Sequence, residues 1–134
     1  MPIIAESEIE DFTEFDQETS TANISEKVIP PLEDIYIFRI RDDIQWFLEE
    51  NSFLVSILFE AHVYINYFFP LYSQKILNVV SDPEIPENIQ LIISISAKLN
   101  ANEAFYCLKE LDEYWWLNAK RQTKGFMNIT VEFG

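Results

Sequence analysis

From Ile40 onward apolar residues recur at a helical interval. Ile40, Ile44, Phe47 and Leu48 share one side, with Asp42, Asp43, Glu49 and Glu50 falling mostly between them, the pattern of an amphipathic helix. Asn51 and Ser52 interrupt it, and the Ser52 hydroxyl is placed to cap a second helix by accepting an amide of its first turn. The second helix ends before Pro70. It is apolar around most of its circumference, as expected of a helix covered on more than one side. The run DIYIFRI before the first helix alternates Tyr36, Phe38 and Ile40; it is read as an extended lead-in, since short apolar runs are not separated from strands by pattern.

Two segments rich in branched side chains follow, KILNVVS and IQLIISIS, joined by DPEIPEN, whose prolines and acids belong in a turn. They predict a hairpin. In its second strand Ile89, Leu91, Ile93 and Ile95 share one face, while Gln90, Ser94 and Ser96 take the other, broken only by Ile92. NANE then predicts a helix start at Ala101, with Asn100 accepting an amide bond and Glu103 reaching back. Ala104, Leu108, Leu111 and Trp115 form its apolar stripe. Gly125 ends the connection, and FMNITVEF alternates again with Met127, Ile129, Val131 and Phe133 inward. A strand, helix, strand crossover makes the last strand parallel to the second hairpin strand. The predicted fold is α+β: a helical hairpin followed by β-β-α-β, giving a three-stranded sheet with helices packed on one face.

The first 34 residues differ in kind from the rest, holding ten acids and one base. ETSTANISEKVIPPLED is rich in Ser, Thr, Asn and Pro and reads as a linker, with Pro30 and Pro31 at its boundary. The organisation is therefore an acidic tail over residues 1–34 and a single α+β domain over residues 35–134. Within the tail, Ile9, Phe12 and Phe15 recur at three-residue spacing among acids, a short amphipathic turn suited to an apolar groove. The formal charge of −14 argues against direct binding to nucleic acid or anionic lipid and favours a protein partner with a basic surface, or self-association. Phe53 to Tyr72 approaches the length of a membrane span, but Glu60, His62 and Asn66 in its middle make it a buried helix instead. The single Cys107 and the absence of a signal-peptide pattern at the start make a reducing cytoplasm the simplest expected location.

FRIRDDIQWFLEENSFLVSILFEA, VVSDPE and LDEYWWLNA followed by ITVEF resemble a group of small acidic bacterial proteins, largely cyanobacterial. The resemblance covers Phe38 to Phe133 and excludes the tail. It implies no activity, cofactor or site residue.

Chemistry is limited by inventory. One His, one Cys and two Gly exclude glycine-rich phosphate loops and Cys or His zinc clusters, so no metal or cofactor is expected. His62 lies in the most apolar segment without an identifiable nucleophile and reads as structural. Asp82, Glu84 and Glu87 crowd the hairpin turn, too few ligands for an oxygen cage. Trp115 and Trp116 are adjacent, and successive helical residues point about 100° apart, so Trp115 is placed in the core and Trp116 on its flank. Trp116 then either covers the edge of the helical hairpin or, with Lys120, Arg121 and Lys124, anchors an interaction surface; the three cations otherwise serve to stabilise the helix C-terminus. The leading functional reading is a non-enzymatic module, an adaptor or inhibitor of a basic partner. The alternatives are a small ligand-binding protein or hydrolase with a pocket lined by Tyr64, Tyr67, Tyr106 and Tyr114 near His62, and a nucleic-acid mimic.

Overall fold

The computed structural model of the protein describes residues 27–133. Ile9, Phe12 and Phe15 lie outside them. The described chain opens with helix α1 (Ile29–Ile35), inside the stretch that reads as a linker. Its two prolines occupy the first turn, where a missing N–H costs no bond and the fixed φ suits a helix. They start the element that they seemed to forbid. Ile29 and Leu32 are fully buried in the main core, so the segment assigned to the tail contributes to the domain.

After α1 the backbone turns extended at Tyr36, and Ile37–Phe38 form a short strand, β1. Helices α2 (Arg41–Glu50) and α3 (Leu54–Phe68) follow as the spacing predicts. The Ser52 hydroxyl does not cap α3, whose start makes no side-chain cap bond. Backbone carbonyls of Asn51 and Ser52 instead accept the amides of Leu54 and Val55, at 3.0 and 3.1 Å. The hairpin strands are β2 (Gln74–Ser81) and β3 (Ile89–Ala97). Helix α4 (Ala101–Leu111) starts with the expected capping box at Asn100 and Glu103. A π-helical turn (Asp112–Trp116), helix α5 (Leu117–Gln122) and β4 (Met127–Phe133) complete the order.

The sheet has four strands rather than three, in the order β1-β2-β3-β4. β2 and β3 are antiparallel, β4 runs parallel to β3 and β1 runs parallel to β2. The lead-in becomes a strand because the edge of β2 offers its free backbone groups; the amide of Arg39 is bonded to the carbonyl of Leu77 at 2.9 Å. Leu77, Leu91, Ile93, Ile95, Met127 and Ile129 form one cluster with apolar residues of every α-helix, α4 contributing Leu111 at its last position. The helices therefore cover one face. Among the described residues no helix is long and apolar enough to cross a membrane.

Trp115 and Trp116 are both buried, and Trp116 is only 4% exposed. The π turn reconciles this with their adjacency. Its i→i+5 bonding widens the coil, so successive side chains diverge by less than in an α-helix and both indoles enter the core. Their rings lie 5.7 Å apart at 39°. Of the two places open to Trp116, a packed edge and an exposed anchor, it takes the packed one.

Candidate functional site

Apolar periodicity leads one to expect α3 to be covered on several sides, but one stripe is left open: Phe59, Val63 and Tyr67, spaced four apart, are all exposed. Beside this stripe the π turn presents Tyr114. Together Val63, Tyr64, Asn66, Tyr67 and Tyr114 line an open groove of about 520 Å³. Tyr67 is 75% exposed and Tyr114 69%, whereas Tyr64 is half-buried.

The walls are held by ring contacts. Tyr64 stacks on Trp115 at 5.2 Å and 11°, and the indole Nε1 of Trp115 donates to Glu60 Oε1 at 3.0 Å. Phe68 meets Tyr114 edge to face at 5.3 Å and Tyr67 at 4.8 Å. Each pairing of this geometry is worth roughly 0.5–1.5 kcal/mol beyond the area it buries. α3 and the π turn are thus locked together through their aromatic residues, which fixes the groove's width.

The base of the groove is polar. Asn66 Oδ1 accepts a bond from Lys75 Nζ at 3.0 Å. Lys75 lies on the inward face of β2, paired with Ile95, and is only 8% exposed. The other amide atom of Asn66, Nδ2, is 3.5 Å from His62 Nε2. An amide nitrogen can only donate, so Nε2 is the acceptor and the imidazole is neutral with its proton on Nδ1. Nδ1 is buried and has no partner among the described residues. The charges favour the same neutral form: burial, then the positive field of Lys75, lowers the His62 pKa, and burial lowers that of Lys75. Tyr36 covers the imidazole edge-on at 6.4 Å and donates its buried hydroxyl to the Leu58 carbonyl at 2.6 Å. Burial lifts that phenol well above the usual range.

The residues singled out from the sequence are dispersed. Lys120 and Arg121 are exposed in the last turn of α5, where positive charge stabilises a helix C-terminus. Lys124 Nζ sits 5.1 Å over the Phe53 ring, and Trp116 is buried. Tyr64, Tyr67 and Tyr114 do converge, while Tyr106 is exposed on α4 outside the groove. In the hairpin turn Asp82 Oδ1 accepts the amides of Glu84 and Ile85, at 2.8 and 3.4 Å. Its carboxylate is satisfied by backbone, and among the described residues no group of three metal-ligating side chains occurs.

One residue of the site was missed by sequence reading, Lys75; Asn66 was legible only as sharing a helix face with His62, four positions away. Lys75 was detectable, since it alternates with Leu77 and Val79 and therefore points inward with them. Its contact with Asn66 belongs to tertiary structure alone. The chain matches none of the family models, curated proteins or solved structures with which it was compared.

Proposed function

We propose that this protein is a non-enzymatic binding module that holds an organic ligand with an aromatic or apolar body in the tyrosine groove between α3 and the π turn. The carrying observation is the exposure of Tyr67 and Tyr114 around a concave, aromatic-walled space of about 520 Å³. Ligand sites of small molecules are mostly apolar, concave and of this size, with a few polar groups at fixed positions. The inventory of the base supports binding over catalysis. His62 offers one nitrogen to Asn66 and buries the other, leaving neither to move a proton to or from a bound molecule.

The test uses p-cresol as a probe, followed by ligand-observed NMR on the full chain. Replacing Tyr67 or Tyr114 with Ala removes ring contacts worth roughly 0.5–1.5 kcal/mol each, so affinity is expected to drop about three- to tenfold. Tyr106→Ala, outside the groove, should leave it unchanged. Equal binding by all three variants would reject the groove.

A second reading is capture of a basic protein partner. It rests on the net charge of −14, which steers encounters with cationic surfaces, and on exposed Phe105 and Tyr106 of α4 as anchors. Charge-neutral Phe105→Ala should then weaken capture of an arginine-rich peptide at 0.15 M salt. If only salt changes that binding, the attraction is non-specific.

A further inference from the structure

Lys75 is the one cation among the described residues that is buried, and it appears in none of their ion pairs, which join Arg39 to Glu132, Arg41 to Glu33 and Lys109 to Glu113. A buried ammonium without a counter-charge is costly, and a neutral amide oxygen offsets only part of that cost. Of its three N–H donors one is bonded to Asn66. The two that remain are next to the residue that lines the base of the groove. A carboxylate resting against Asn66 would meet them, forming charge-assisted bonds about twice as strong as neutral ones.

We infer that Lys75 and Asn66 form an anion seat at the base of the tyrosine groove, so that the ligand is a carboxylic acid carried on an aromatic or apolar body. The inference rests on the groove being the binding site and names the chemical class that it takes. The walls, Val63, Tyr64, Tyr67 and Tyr114, carry no charge, and the body of the ligand lies against them. The chain's overall negative charge does not forbid this selectivity. At physiological ionic strength exposed charges farther than about 8 Å are largely screened, whereas Lys75 lies one hydrogen bond behind the lining residue Asn66. Ligands bearing a cation instead would place it toward the ammonium, so simple amines are disfavoured.

The alternative seats in the molecule are weaker. A hollow of about 580 Å³ bounded by Tyr72, Gln74, Ser96, Ala97 and Lys98 presents polar side chains already in solvent. The hollow beside Phe105 and Leu108 is about 180 Å³, too small for more than a fragment of a ligand.

The experiment compares phenylacetate with its neutral isostere phenylacetamide, titrated into the full chain and followed by ligand-observed NMR and by the Lys75 side-chain resonances. The acid is expected to bind at least tenfold more tightly than the amide and to shift the Lys75 signals. In Lys75→Met the acid should fall to the affinity of the amide while the amide is unaffected. Asn66→Asp gives an independent variant that retains the lysine: its carboxylate neutralises Nζ internally, and the preference for the acid should again vanish. Equal affinity of wild type for both probes overturns the anion seat and leaves the groove standing. A preference that survives in Asn66→Asp and in folded Lys75→Met overturns it as well. If neither probe binds wild type, or if Tyr67→Ala and Tyr114→Ala bind both unchanged, the groove itself falls and the seat with it.

Discussion

Glu60 is an exposed carboxylate in the middle of an otherwise apolar helix, and its bond to the Trp115 indole gives the position a purpose that composition did not. A double-mutant cycle of Trp115→Phe with Glu60→Ala should yield a coupling of about 1 kcal/mol, the usual net worth of a hydrogen bond, by urea unfolding. A coupling near zero would mean that the indole is held by its stack on Tyr64 alone. His62 supports a second prediction at this scale. Its pKa is lower folded than unfolded, so the unfolded chain takes up the proton first as the solution is acidified. Stability should therefore be full above about pH 6.5, the ordinary histidine value, and be lost as pH falls through that value toward the lower folded one. His62→Leu should flatten this part of the profile and, by removing a buried N–H without a partner, raise stability at neutral pH. Asp112 titrates oppositely, burial having raised its pKa, so the contrast between wild type and variant isolates the histidine. Burial, reinforced by Glu103, also raises the pKa of the Cys107 thiol, and slow alkylation at neutral pH is expected.

Elements were legible wherever a local rule decides them. The Asn100 capping box is both predicted and observed because its two bonds are made within four residues; Asn100→Ala should cost about 1 kcal/mol. The π turn is a contrasting case. Nothing in DEYWW announces i→i+5 bonding, since the extra residue in the coil is stabilised only by burying two indoles in a core assembled from other elements. Deleting exposed Glu113 would allow a continuous α-helix and force one indole out. The expected loss is several kcal/mol, the scale of removing a Trp from a core, and it should exceed that of Asn100→Ala in urea unfolding. Retention of full stability would show that the π turn is incidental. Ser52 and the prolines of α1 went astray for related reasons: a hydroxyl competes with backbone carbonyls for the same amides, and Pro30 and Pro31 break a helix only when they are not in its first turn.

At the scale of the whole molecule, Ile29 and Leu32 of α1 belong to the core. Removing residues 1–26 leaves every described core residue in place and should preserve a cooperative thermal transition. Removing residues 1–35 also deletes Ile29 and Leu32, each fully buried and worth roughly 1.5–3 kcal/mol. Against a total stability of roughly 5–15 kcal/mol, that loss should lower the midpoint sharply or abolish the transition; unchanged melting of the shorter chain would show α1 to be dispensable. The periodicities of 3.6 and 2 were enough to establish an α+β chain, the long helices, the hairpin, the inward residues of β3 and those of β4 from Met127 to Val131, the expected Phe133 side chain lying outside the described residues, because those patterns are written by each element's own geometry. The charge balance and the scarcity of His, Cys and Gly limited the chemistry on inventory alone. Whatever depends on which surfaces meet was decided by tertiary structure: the fourth strand, taken up by an open sheet edge; the burial of both tryptophans; the uncovered stripe of α3. Tyr67 and Tyr114 are 47 positions apart in the sequence and share a groove only because the aromatic contacts of Phe68 and Trp115 hold α3 against the π turn. Lys75 reaches Asn66 only because β2 runs beneath that helix. No local rule encodes such pairings, since the burial and polar bonding that reward them exist only once the chain has closed on itself.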